Sequence, residues 1–179
     1  MKQLRRYTII GIVFVLVTGA LSHFLYEWTG NNVIAGLFAP VSESVWEHMK
    51  LLFFPMLVYS IFMTFHLKKE YPCIMYALCA GGLAGTWLIP VFFYAYTKIL
   101  GQNVLILDLG VFLVSTIIAF LIAYKLAGSC KIRFYRCWSY KLLMCILVCV
   151  NLICFLLFTY DPPHMELFAE PEETAFHEL

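Results

Sequence analysis

Charge is scarce in this sequence. Only 13% of its 179 residues are Asp, Glu, Lys or Arg, where a soluble domain carries about a quarter. That shortage excludes a fold solvated by water on every side. Twelve basic against eleven acidic residues leave a net charge of +1, so no basic field points to a nucleic-acid partner. Polar loops that hold cysteine are missing as well. The cysteines at 73, 79, 130, 137, 145, 149 and 154 lie in apolar runs or in one basic loop. This argues against a secreted disulfide framework and reads them as small apolar core residues. Cys145 and Cys149, one helical turn apart, also have a spacing that could suit a metal. The chain lacks H-E-x-x-H and C-x-x-C metal motifs, low-complexity tracts and internal repeats, and reads as one integral domain.

What it has instead is apolar length. Hydrophobic residues make up 63% of the chain, and the mean hydropathy is +0.85. Five apolar runs, at about 7–28, 49–67, 73–96, 104–126 and 141–158, are long enough to cross roughly 30 Å of hydrocarbon as helices. They are continuous rather than alternating, which excludes barrel strands. The expected fold is all-α: a polytopic bundle of five transmembrane helices over residues 1–160, followed by an acidic tail at 161–179. The first run resembles a signal peptide behind Lys2, Arg5 and Arg6. Its length, its polar and aromatic end "SHFLYEWTGNN" and the poor cleavage site "ALS" favour an uncleaved anchor.

Under a five-span count, Lys2, Arg5, Arg6, Lys68, Lys69, Lys125, Lys131, Arg133, Arg136 and Lys141 fall on one side, which is ten of the twelve basic residues. The expected orientation is an N-terminus in the cytoplasm and a C-terminus outside. Acids do the opposite: of eleven, only Glu70 lies on the basic side. His23, His48, His164 and His177 also gather in the outer half.

The densest polar cluster is "PVSESVWEHMK", residues 40–50, directly ahead of the second apolar run. Part of it is a helix start. Ser44-x-x-Glu47 fits a capping box, Glu47 and Lys50 are spaced to pair, and Trp46 suits the membrane interface. Glu43 and His48 are left over. His23 and Glu27, four apart, share a face near the outer end of the first span, and the short loop 29–40 makes spans one and two neighbours. Asp108 enters the fourth span at similar depth, where a carboxylate faces the bundle interior or water. His23, His48 and Asp108 are therefore candidate metal ligands, with zinc as the expected ion and calcium or manganese if oxygens dominate. Glu43 and Glu47 are candidate bases. Ser44, Trp46, Lys50 and Glu27 are supporting residues. The structural alternatives are a hydrogen-bonded core role for His23 and an ion pair of Asp108 with Lys98 or Lys50.

Other features read as structure. Ala77, Gly81 and Gly85 form a small-residue packing face, Asn151 is an interhelical hydrogen-bonding group, and Pro55 and Pro90 are possible kinks. "PPHMELF" can fold back over the outer face, and the last ten residues read as disordered. The basic loop "KLAGSCKIRFYRCWSYK" suits anionic headgroups.

On "APVSESVWEHMKLLFFP", with "HFLYEWTGNN" upstream and "FTYDPPHMELF" at the end, the chain resembles a family of small bacterial polytopic membrane proteins of unknown function. The resemblance spans nearly the whole chain and implies a bacterial cytoplasmic membrane location, with Pro40, Glu43, Ser44, Trp46, Glu47, His48 and Lys50 as the signature. It is also similar in kind to the membrane hydrolases that include alkaline ceramidases and adiponectin-receptor-like proteins. Those place Glu, Trp, Ser, Asp and several His around zinc, but have seven spans and a late pair of histidines that this chain lacks. Three functions follow as expectations: a metal-dependent hydrolase of a lipid-like substrate, a small ion- or proton-coupled carrier, and a non-catalytic accessory subunit. Each has the lipid bilayer as partner and is compatible with a homo-oligomer.

Overall fold

The computed structural model describes residues 1–129 and 138–170. In chain order its helices are α1 (Lys2–His23), α2 (Leu25–Trp28), α3 (Val33–Gly36), α4 (Val45–Leu67), α5 (Ile74–Leu100), α6 (Leu105–Gly128) and α7 (Trp138–Phe158). A 3-10 turn, Glu166–Phe168, follows. Among the described residues all regular structure is helical. Five of the helices, α1 and α4 to α7, are long and apolar enough to cross a membrane.

Local chemistry sets the ends. α4 begins four residues ahead of the apolar run because the Ser44 hydroxyl accepts the free N–H of Glu47 at 3.3 Å. The reciprocal half of a capping box is absent. The Glu47 carboxylate accepts instead from Val41 N–H at 2.9 Å, gripping the chain ahead of the helix. α5 runs on to Leu100 and stops at Gly101, whose φ of 75° suits a residue without a Cβ. α1 ends at His23, so Glu27 lies beyond it on α2. Pro55 and Pro90 are accommodated inside α4 and α5 without ending either helix.

Four long helices close into a ring in which α1 touches α4, α4 touches α5, α5 touches α6 and α6 returns to α1, while α7 packs outside against α5. The α5–α6 seam is the tightest, and small residues make it so. A Cβ on Gly85 would meet the Ala119 Cβ at 2.5 Å, and one on Gly81 would strike the Ala119 carbonyl. Trp87 Nε1 donates to Asn151 Oδ1 at 3.2 Å, tying α7 to α5. Only 17% of the most apolar window of α7 is buried, although its hydropathy averages 2.7. Water is a poor solvent for so much exposed aliphatic surface, whereas lipid suits it. The chain has the surface of a multi-pass membrane protein.

The seven cysteines do not share one role. Cys145 and Cys149 are exposed on α7 and do not form a buried pair. Cys73 is disulfide-bonded rather than a free core thiol. It precedes α5 in the short connection from α4, where the chain is not committed to a helix interior. After α7 the chain does fold back: Phe168 lies 4.9 Å from the Trp46 ring and 5.6 Å from Phe158, covering the first turn of α4. The core of the basic loop, 130–137, and the tail end, 171–179, lie outside the described residues.

The seam makes a specific demand on side-chain size. Gly85→Ala is expected to destabilise the bundle by about 1–3 kcal/mol through overpacking. Gly110→Ala, where an added Cβ meets nothing within 4 Å, should leave stability unchanged or raise it. Thermal unfolding in detergent checks both, and equal effects at the two positions would contradict the packing described.

Candidate functional site

The candidate ligands, bases and supporting residues lie at one end of the bundle, where α1, α5 and α7 finish and α4 and α6 begin. His23 is the last residue of α1, His48 sits in the first turn of α4, and Glu43 is on the stretch just before that helix. The packing of α1 on α4 brings the three together. His23 Nε2 and His48 Nε2 are 3.2 Å apart. Glu43 Oε2 stands 3.3 Å from His48 Nε2 and 3.7 Å from His23 Nε2. The two histidine side chains are about one-third exposed, at 31% and 29%, and that of Glu43 is 67% exposed, so the group opens to its surroundings on one side.

Hydrogen bonding settles which atom of His48 is available. Its Nδ1 lies 2.9 Å from the Ser44 carbonyl. A carbonyl only accepts, so Nδ1 carries a proton, and a neutral His48 presents a bare Nε2. A bare Nε2 on His23 facing it at 3.2 Å would be repulsive. The close approach therefore requires a proton or a metal ion between the two nitrogens, and a neutral His23 that carries its proton on Nε2 already supplies the first. Glu43 brings a negative charge to the same point. When His48 is protonated on both ring nitrogens, its Nε2–H hydrogen bond to the carboxylate holds the Glu43 carboxyl below the usual carboxylate range, against a smaller opposing effect of burial.

The distances also suit a metal. Bonds of about 2.0–2.1 Å in tetrahedral zinc sites put neighbouring ligand atoms about 3.3–3.4 Å apart. The three separations here, 3.2, 3.3 and 3.7 Å, bracket that edge length. Two imidazoles and a carboxylate are a recognised catalytic zinc set, which leaves a fourth position open. The Ser44 carbonyl on His48 Nδ1–H is the kind of outer partner that fixes a ligating ring.

The remaining expected residues stand elsewhere. Asp108 is not among the three converging groups. Its carboxylate accepts from the Tyr96 hydroxyl across the α5–α6 turn, rather than pairing with Lys98 or Lys50. Glu47 is 3% exposed and paired with Lys50 Nζ at 2.7 Å, so it faces a cation rather than a substrate. Glu27 is exposed on α2 and joins neither group. Trp46 packs on Phe155 and Phe168, away from the histidines. Glu43, expected as a base, is the third member of the cluster. Tyr96, which no sequence motif marks, is the partner of Asp108.

Because the folded-state pKa of Glu43 is lowered, its contribution is present above the ordinary carboxylate range and lost as pH falls through the lowered value. In metal-free protein the stability difference between wild type and Glu43→Gln should persist at mildly acidic pH and close only in stronger acid. A gap already closed at mildly acidic pH would contradict the geometry.

A family model described as "Family of unknown function (DUF6512)" matches residues 1–176. No curated protein and no solved structure matches the chain. With nearly its whole length covered, the chain belongs to this family of unknown function.

Proposed function

We propose that this is a five-span membrane protein whose His23–His48–Glu43 cluster faces outward and holds a zinc ion, and that it hydrolyses a lipid-like substrate at the outer surface of a bacterial cytoplasmic membrane. The observation that carries the reading is the convergence of two imidazole Nε2 atoms and one carboxylate oxygen at tetrahedral-edge distances. A zinc ion bound there would act as a Lewis acid and lower the pKa of a water at the open position. The protein's own part is to orient His48 through Ser44, to keep Glu43 ionised, and to leave one side open at the depth of lipid headgroups.

One observation favours a second reading. The same pair of Nε2 atoms can be bridged by a proton, which is what a proton-coupled carrier needs. Metal titration separates the two. After chelator treatment, the purified protein should take up one zinc per chain. His23→Ala and His48→Ala should each weaken binding by more than the about 10–100-fold typical of losing an outer-sphere partner. Unchanged binding in both variants, or no uptake by wild type, would overturn the metal reading.

The orientation has its own test. A reporter fused after Leu179 should be extracytoplasmic and one inserted within 128–136 cytoplasmic. The Cys73 disulfide, at the basic end, weighs the other way, since cytosolic thiols are kept reduced. The same side for both reporters would remove the five-span arrangement, and exchanged sides would invert it.

A further inference from the structure

Glu43 poses a positioning problem. It lies on an irregular stretch between Pro40 and Ser44, its side chain is 67% exposed, and nothing in its own packing holds it against the histidines. The chain on its N-terminal side is nevertheless fixed, and from within the bundle. Glu47 Oε2 accepts from Val41 N–H at 2.9 Å, two residues before Glu43. The same oxygen accepts from Lys50 Nζ at 2.7 Å. Lys50 is fully buried and uses its other protons on the Gly36 carbonyl at 3.1 Å and the Thr159 hydroxyl at 2.7 Å. Tyr160 adds a bond to the Val33 carbonyl at 2.7 Å. Gly36 must be glycine for this approach, since an added Cβ would strike the Tyr160 hydroxyl and lie 2.6 Å from Val41 Cγ1. Glu47 Oε1 is buried without a partner, so the carboxylate's whole grip on the loop passes through Oε2.

From this chain of contacts we infer that the buried Lys50–Glu47 pair, braced by Thr159 at the end of α7, is a positioning device that sets Glu43 as the third ligand of the metal site. The inference rests on the metal reading given above. Its physical basis is that a buried ion pair adds little stability over an apolar pair of equal volume, while it fixes the groups around it in one arrangement. Here the groups fixed are the backbone at Val41 and Gly36, on the stretch that leads into Glu43. An outer-sphere partner of this kind affects metal affinity by about 10–100-fold.

The test replaces the pair by apolar residues, Glu47→Leu with Lys50→Met, and measures three things: melting temperature in detergent, zinc affinity by competition, and the visible spectrum of the cobalt-substituted protein. The expected result is a folded protein whose zinc affinity falls about 10–100-fold. Its cobalt spectrum should approach that of Glu43→Gln, because the carboxylate is lost while both imidazoles stay. A merely structural pair would lower the melting temperature and leave the spectrum of bound cobalt at wild type. Wild-type affinity and spectrum in the folded double variant would overturn the positioning role and leave the metal site standing. Failure of wild type to bind zinc or cobalt would overturn the site and this role together. Should the double variant not fold, Thr159→Val decides. A several-fold loss of zinc affinity at an unchanged melting temperature supports the role, and unchanged affinity overturns it.

Discussion

A lysine ammonium with no exposed surface sits where three parts of the chain meet. Lys50 reaches from α4 to the Glu47 carboxylate, the Gly36 carbonyl and the Thr159 hydroxyl, and each of its protons has a partner. An ammonium removed from water is strongly unfavourable unless paired and hydrogen-bonded. The fold therefore has to supply those partners in one arrangement. That requirement draws the loop between α1 and α4 down onto the bundle, anchors the end of α7 although the rest of that helix is loosely packed, and fixes the chain entering α4. The histidine cluster depends on the result, since its carboxylate member rides on the chain so held.

The first turns of α4 serve packing and chemistry on opposite faces. Trp46 and His48 are two residues apart, so their side chains project about 200° from each other around the helix. Trp46 enters an aromatic layer with Phe155 and Phe168, while His48 turns to α1 and meets His23. The polar segment 40–50 thus holds the folded-back tail on one face and meets the end of α1 on the other. The closeness of two Nε2 atoms is the chemically demanding part, because it needs a proton or a metal ion between them. A carboxylate at 3.3 Å is what a cation there would select.

The hydropathy pattern carried the five long helices, because a run long enough to cross a bilayer has few other stable forms. The meeting of His23 and His48 could also be read, since a short loop makes α1 and α4 neighbours and both histidines lie near its ends. The Glu47–Lys50 pair followed from helical spacing. What sequence could not supply was long-range or irregular. Glu43 was read as a base because nothing in a loop's sequence gives the direction of its side chain. Thr159 and Gly36 lie far from Lys50 in one direction or along an irregular loop in the other, and carry no motif. Asp108 was expected among the ligands from its depth and from the cost of a carboxylate facing lipid. A signal for its actual partner was present: Tyr96, near the end of α5, faces the first turn of α6 across the short connection 101–104. Cys73 was read by composition as a buried thiol, and only its place before α5 reveals that it was free to pair.

In the function we propose, two imidazoles and one carboxylate, brought together by α1, α4 and the stretch between them, bind a zinc ion. X-ray absorption at the zinc edge of the loaded protein in detergent tests it most directly. The account predicts a first shell of nitrogen and oxygen at about 2.0–2.1 Å with the outer-ring scattering of two histidines. A sulfur shell at about 2.3 Å, or the featureless outer shell of a hydrated ion, would contradict it.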